Sequence, residues 1–230
     1  MDIRLHFEEQ GSGEALILLH GNGGDGSYFA GQMPVFARSF RTIALDTRGH
    51  GASPRGSMPF AISQFADDLN AFMDEQGIDK AHILGFSDGG NIALVFALRH
   101  PGRVDKLILN GANLFFEGLI APVRREILAT YDAAHAREAD DPTAKRAAAL
   151  QRLMIDEPDL DPAQLAALTM PALVIVGDDD MIETSHSELI ARSLPHARME
   201  VLHGSHFVAA EHPADFNHAV LAFLQEPAAE

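Results

Sequence analysis

Apolar positions along this chain fall into two patterns. Residues 16–19, 42–45, 82–86, 106–109, 173–176 and 199–202 form short, nearly continuous apolar runs, which predict strands covered on both faces, as in a parallel sheet. Near the start the pattern differs. Ile3, Leu5 and Phe7 alternate with Asp2, Arg4, His6 and Glu8, a period of two that predicts a half-exposed edge strand before the turn at Gly11-Ser12-Gly13. Between the runs the period lengthens to that of a helix. Residues 63–76 put Phe65, Leu69, Phe72 and Met73 on one face and end at Gly77; residues 91–99 carry Ile92, Val95, Phe96 and Leu98 and stop before Pro101. A last helix is predicted from Pro213 through Phe216, Val220, Phe223 and Leu224.

Strand and helix thus alternate, which predicts an α/β fold with a doubly wound, mostly parallel sheet of about seven strands. One stretch breaks the alternation. Residues 113–168 contain no strand pattern, but Leu119, Ile120, Val123, Ile127, Leu128 and Tyr131 sit at helical spacing and a second helical segment covers 144–154. The expectation is a core domain made of residues 1–112 and 169–230, interrupted by a short helical cap insertion at 113–168.

Composition narrows the possible partners. Seventeen Lys and Arg face 33 Asp and Glu, a net charge of −16 that repels nucleic-acid phosphates and anionic membrane surfaces. There is no cysteine, so disulfides, thiolate nucleophiles and cysteine metal sites are excluded together. The N-terminal residues lack the basic-then-apolar order of a signal peptide, and no apolar run reaches the roughly 20 residues that span a bilayer. A cytoplasmic protein with a small-molecule partner, and with neither nucleic acid nor membrane, is expected; the sequence leaves the oligomeric state open.

The chemistry concentrates at Gly85-Phe86-Ser87-Asp88-Gly89-Gly90, between a predicted strand and a predicted helix. A serine displayed on such a turn needs small neighbours, because a side chain at Gly85 or Gly89 would strike adjoining elements, and the helix N-terminus behind it favours developing negative charge. Four further segments follow the same theme in order: His20-Gly21-Asn22-Gly23-Gly24, Asp46-Thr47-Arg48-Gly49-His50-Gly51-Ala52-Ser53, Gly177-Asp178-Asp179-Asp180, and Gly204-Ser205-His206-Phe207 with Glu211-His212-Pro213. Over nearly its whole length the chain resembles the α/β-hydrolase superfamily, and its G-x-S-D-G-G turn resembles that of small esterases and valacyclovirase-like hydrolases.

The resemblance implies the α/β-hydrolase fold and a set of roles. Ser87 would be the nucleophile, Asp180 the acid and His206 the base, in the family's chain order. Asp178 and Asp179 are rival acids and His203 a rival base. Backbone N–H groups of Asn22 and Asp88 would form the oxyanion hole. His20 is expected to brace its loop, and Asp46, Arg48 and Ser53 to form a structural network. Gly23, Phe86, Phe115, Phe116 and Phe207 are candidate pocket residues. The Asp88 carboxylate has two readings: only its N–H matters, or it favours substrates bearing an amino group. Many relatives have an extra strand ahead of the first one predicted here; this chain begins too late for it, so seven strands are expected.

No phosphate-binding loop and no dinucleotide fingerprint is present, so no cofactor is implied. His203, His206 and His212 lack a helical ligand spacing, so no metal is expected. The implied activity is a serine esterase that cleaves carboxylic esters or related acyl compounds through an acyl-enzyme. Lactonase, thioesterase, aminopeptidase and carbon–carbon bond hydrolase remain open, as does a ligand sensor that retains the triad.

Overall fold

In the computed structural model, which describes residues 2–227, one sheet runs through the chain. Its strands are β1 (Phe7–Gln10), β2 (Ala15–Leu19), β3 (Arg41–Leu45), β4 (Ala81–Phe86), β5 (Val104–Asn110), β6 (Ala172–Asp179) and β7 (Ala197–Ser205). Their spatial order is β1-β3-β2-β4-β5-β6-β7. All neighbours are parallel except β1, which runs antiparallel to β3. Five of the six apolar runs become the interior strands because they are packed on both faces, every residue of β2 and β4 being buried. The sixth, 199–202, expected to be covered on both faces, lies instead in β7 at the second edge of the sheet, where no residue is fully buried and Val201 is exposed.

The helices are α1 (Met33–Phe36), α2 (Ile62–Glu75), α3 (Asp88–Arg99), α4 (Ala121–His135), α5 (Pro142–Asp156), α6 (Thr184–Ser193), α7 (Val208–Glu211) and α8 (Pro213–Gln225). Two apolar clusters cover the sheet. Phe65, Leu69, Phe72 and Met73 of α2 join Ile92 and Phe96 of α3 in one cluster, and Phe216, Val220 and Phe223 of α8 lie in the other. The alternation of β2 settles which residues go where, Ile17 and Leu19 entering the first cluster and Leu16 and Leu18 the second.

Two further expectations need correction. The edge strand starts at Phe7, not Ile3: His6 is held by Ser53 and Asp46 outside the ladder, while Glu8, Glu9 and Gln10 pair with Ala44, Ile43 and Thr42. Alternation registered the burial of Leu5, whereas the ladder needs only backbone and leaves the side chains of Glu8 to Gln10 exposed. The first helix after β5 begins at Ala121, with Pro122 in its first turn. Leu119 and Ile120 precede it in extended backbone, where Leu119 bridges Ile182 and the Ile120 N–H donates to Met181 O.

Between β5 and β6 the chain forms α4 and α5, which pack on each other, and then returns along the sheet. On the way back Leu165, Leu168 and Met170 enter the first apolar cluster. β6 and β7 extend further than their apolar runs, and these polar extensions carry the chain to Asp180 and His206.

Candidate active site

At the carboxyl end of β4 the chain turns directly into α3, and Ser87 occupies the turn with φ 53° and ψ −121°. Among the described residues it is the only non-glycine with positive φ, a strain of order 1–3 kcal/mol that the surrounding packing must hold. The glycines beside it fit the expected lack of space. A Cβ on Gly85 would lie 2.2 Å from Gly89 O, and one on Gly89 would lie 2.0 Å from Leu19 O. The Ser87 N–H donates to Asn110 O at the end of β5, 2.8 Å away, which fixes the turn to the neighbouring strand.

Three polar side chains from three strand ends converge here. His206, just after β7, has Nε2 3.0 Å from Ser87 Oγ and Nδ1 2.7 Å from Asp180 Oδ1. A carboxylate oxygen accepts, so Nδ1 carries the proton toward Asp180 and Nε2 accepts from the Ser87 hydroxyl. The His206 and Asp180 side chains are almost wholly buried, at 5% and 3% exposure, so the pair is shielded from solvent screening. Asp180 Oδ1 also accepts the Ile182 N–H at 2.9 Å, which orients the carboxyl group.

The rival residues lie apart from this chain of hydrogen bonds. Asp178 accepts from Gly204 N and pairs with the exposed His203 ring at 3.0 Å; the Gly204 N–H and then His203 lower the Asp178 pKa, and Asp178 raises that of His203. Asp179 is exposed at the end of β6.

The loop after β2 faces Ser87 from the other side. A Cβ on Gly21 would meet the Phe86 ring and Ser87 Cβ at 3.0 Å. Gly24 N–H donates to Gly21 O, closing a tight turn with Asn22 and Gly23 at its centre, and Gly23 has φ 70°. His20 sits beneath the loop: Nδ1 donates to Gly21 O and Nε2 accepts from Thr47 N. Burial lowers the His20 pKa and keeps the ring neutral, as these two bonds require. Asp88 is the first residue of α3, a position whose N–H has no partner within its helix. Its carboxylate is buried and accepts from Asn22 Nδ2 at 2.8 Å; burial pushes its pKa up to about 6 against the lowering effects of Asn22 and His206.

The expected network of Asp46, Arg48 and Ser53 divides: Asp46 and Ser53 bond to each other and to backbone, while Arg48 pairs elsewhere. Asp46 accepts from Gly26 N and Ala52 N, and Ser53 Oγ donates to Asp46 O. Arg48, fully buried, forms a two-pronged pair with Asp68 at 2.7 Å and meets Asp2 at 2.7 Å.

The aromatic candidates divide. Phe86 is buried, stacked on Tyr28 at 4.2 Å and within 4.9 Å of the His206 ring; Phe207 is 51% exposed beside both. Phe115 packs edge-on against His186 of α6 and Phe116 joins Leu119, Ile127 and Ile182, so their contacts are with α6, the segment that leads into it, and α4. Gly23 lies below α5, where an added Cβ would be 3.9 Å from Leu150 Cδ1.

Sequence reasoning missed Gly111, whose φ is 61°: a Cβ there would lie 2.7 Å from His206 Cε1. The Asn110-Gly111 dipeptide was the available signal, since that pair favours turns with positive φ. Buried His186, which accepts from Leu114 N, gave no signal. Among the described residues no group of three His, Asp or Glu is arranged to hold a metal ion, and no helix is long and apolar enough to cross a membrane.

A doubly wound sheet with a hydroxyl, an imidazole and a carboxylate joined at its carboxyl edge defines a class of hydrolytic enzymes of α/β architecture. The chain belongs to the α/β-hydrolase family, whose sequence profile, the alpha/beta hydrolase fold, matches residues 14–131. It is 33% identical to a protein of Caulobacter sp. (strain K31) provisionally named carbamate hydrolase RutD, covering 94% of this chain and 92% of that one. It is 29% identical to 2-hydroxy-6-oxononadienedioate/2-hydroxy-6-oxononatrienedioate hydrolase 1 of Dechloromonas aromatica (strain RCB), over 97% and 91% of the two chains. The crystal structure of a hydrolase from Pseudomonas aeruginosa PA01 is similar with a TM-score of 0.80 and 28% identity, over 97% of this chain and 95% of that one. The protein is therefore an enzyme, a hydrolase of this fold.

Proposed function

We propose that the protein is a serine hydrolase that cleaves carboxylic esters or related acyl compounds through an acyl-enzyme intermediate. The observation that carries this reading is the continuous hydrogen-bond chain Ser87 Oγ, His206 Nε2 and Nδ1, Asp180 Oδ1, at 3.0 and 2.7 Å. His206 Nε2 takes the hydroxyl proton as Ser87 Oγ attacks the carbonyl carbon, and Asp180 stabilises the imidazolium. The oxyanion is held by the backbone N–H groups of Asn22 and Asp88. The proton on Nε2 then passes to the leaving group, whose bond to the acyl carbon breaks. Water, deprotonated by the same nitrogen, releases the acid and restores Ser87.

The similarity to proteins whose names specify carbamate and dioate hydrolases keeps the substrate class broad: each name implies a bond to carbon that an activated nucleophile could attack. The small cap, α4 and α5, favours modest acyl groups. The Asp88 carboxylate is engaged by Asn22, which supports the reading in which its backbone N–H is what the substrate meets.

The test is covalent labelling. Fluorophosphonate treatment followed by peptide mass spectrometry is expected to place one adduct on Ser87 in the wild type and none in Ser87→Ala. Absence of a Ser87 adduct, or equal hydrolysis of p-nitrophenyl esters by Ser87→Ala, overturns the proposal.

A further inference from the structure

The two residues whose backbone N–H groups form the proposed oxyanion hole are also joined through their side chains. Asn22 Nδ2 has two hydrogens, and both are used. One goes to Asp88 Oδ2 at 2.8 Å and the other to Leu150 O, in the middle of α5, at 3.0 Å. Three elements distant in sequence thus meet on one amide nitrogen: the loop after β2, the start of α3, and the cap. Arg146 Nη1 adds a second tie from α5 by donating to Gly49 O at 2.6 Å.

An exposed asparagine in a loop normally bonds to water. Here its amide lies against a buried carboxylate, where an unsatisfied group would be expensive, so the side chain has one strongly preferred position. Two bonds on one nitrogen restrict the side-chain torsions of Asn22 and so limit how far its backbone can shift relative to Asp88.

From this we infer that the Asn22 side chain is a positioning residue: it clamps the two oxyanion donors at a fixed separation and couples that separation to the seating of cap helix α5. The inference rests on the serine-hydrolase reading for its kinetic consequence. The tie of α5 to the loop is independent of it.

The experiment has two arms. In the first, Asn22→Ala, which keeps the backbone N–H, is expected to lower kcat on p-nitrophenyl butyrate about 10- to 100-fold, less than outright loss of an oxyanion donor, while KM changes less than threefold. Asp88→Ala is expected to do the same. Asp88→Asn keeps an acceptor oxygen and is expected to retain at least about fivefold more kcat than Asp88→Ala, and the double variant Asn22→Ala/Asp88→Ala to be no slower than the slower single. Unchanged kcat in Asn22→Ala, independent losses that multiply in the double variant, or Asp88→Asn as slow as Asp88→Ala each overturn the clamp. Melting temperatures within a few degrees of wild type show that the variants fold.

In the second arm, hydrogen exchange of the peptide covering α5 is expected to be at least about threefold faster in Asn22→Ala than in wild type; equal exchange overturns the coupling to the cap. This arm needs no turnover. A wild type without Ser87-dependent hydrolysis would defeat the proposed function, while the exchange result would still decide the tie.

Discussion

Replacing Gly111 by alanine tests the geometry of the site without touching any group that does chemistry. The new Cβ would stand 2.7 Å from His206 Cε1 and 2.8 Å from Nδ1, where ordinary contacts begin near 3.4 Å. The imidazole must therefore retreat by about 0.7 Å, and since its two hydrogen bonds are 2.7 and 3.0 Å long, at least one is stretched toward its limit. A misplacement of this size costs on the order of 10²-fold in rate. Alanine at φ 61° also carries a backbone penalty of about 1–2 kcal/mol, so stability falls as well. Gly77→Ala separates the two effects: Gly77 has φ 65° and nothing within 4 Å of the added carbon. Both variants are expected to lose similar stability in urea denaturation, while only Gly111→Ala loses about 100-fold in kcat/KM on p-nitrophenyl esters and in the rate of fluorophosphonate labelling. If Gly111→Ala stays within twofold of Gly77→Ala in both rates, His206 is not held in the position argued above.

Two further outcomes concern stability. The Asp88 carboxyl is raised from 3.8 to about 6 in the folded protein, so between those pH values the native state binds more protons than the unfolded chain and stability falls as pH rises, by up to about 3 kcal/mol. Asp88→Asn removes that dependence; denaturation midpoints measured at pH 4.5 and 7.5 are expected to show wild type losing ground to the variant at the higher pH, and parallel profiles would refute the raised value. Arg48→Met leaves Asp68, 2% exposed, as a buried charge without its two-pronged partner, and is expected to cost about 3–5 kcal/mol in urea denaturation, partly regained in Arg48→Met/Asp68→Leu. A cost below 1 kcal/mol would show that the ion pair contributes little.

What could be read in the sequence depended on how local the cause was. The interior strands were legible because burial on both faces writes an apolar run into consecutive residues. The exposed strand at Phe7–Gln10 was not, since its ladder with β3 uses backbone groups and leaves no mark on Glu8, Glu9 or Gln10. The start of α4 differs because Leu119 and Ile120 lie in extended backbone bonded to Met181 and Ile182, just after β6, although their sequence spacing matches the helix that begins at Ala121 with Pro122 in its first turn. Ser87 and the segments around Asp180 and His206 were legible because each sits in a compact motif, and resemblance supplied their roles. Gly111 and the Leu150 carbonyl act through contacts that cross 95 and 128 residues of sequence, beyond the reach of any local pattern.

The path of the chain between β5 and β6 has a consequence for which part of it the sheet requires. Parallel neighbours force the connection to leave at one end of the sheet and re-enter at the other, so part of the segment must serve as the crossover that every parallel pair requires. Leu165, Leu168 and Met170 do this by filling the layer over the sheet, whereas α4 and α5 bear on the core through few anchors. The part of this stretch that the sheet's connectivity does not require is therefore narrower than the stretch as a whole: residues 121–156, of which Leu153 alone enters the first apolar cluster as a buried side chain, stand outside the crossover, while 157–171 travels with the sheet as part of its scaffold.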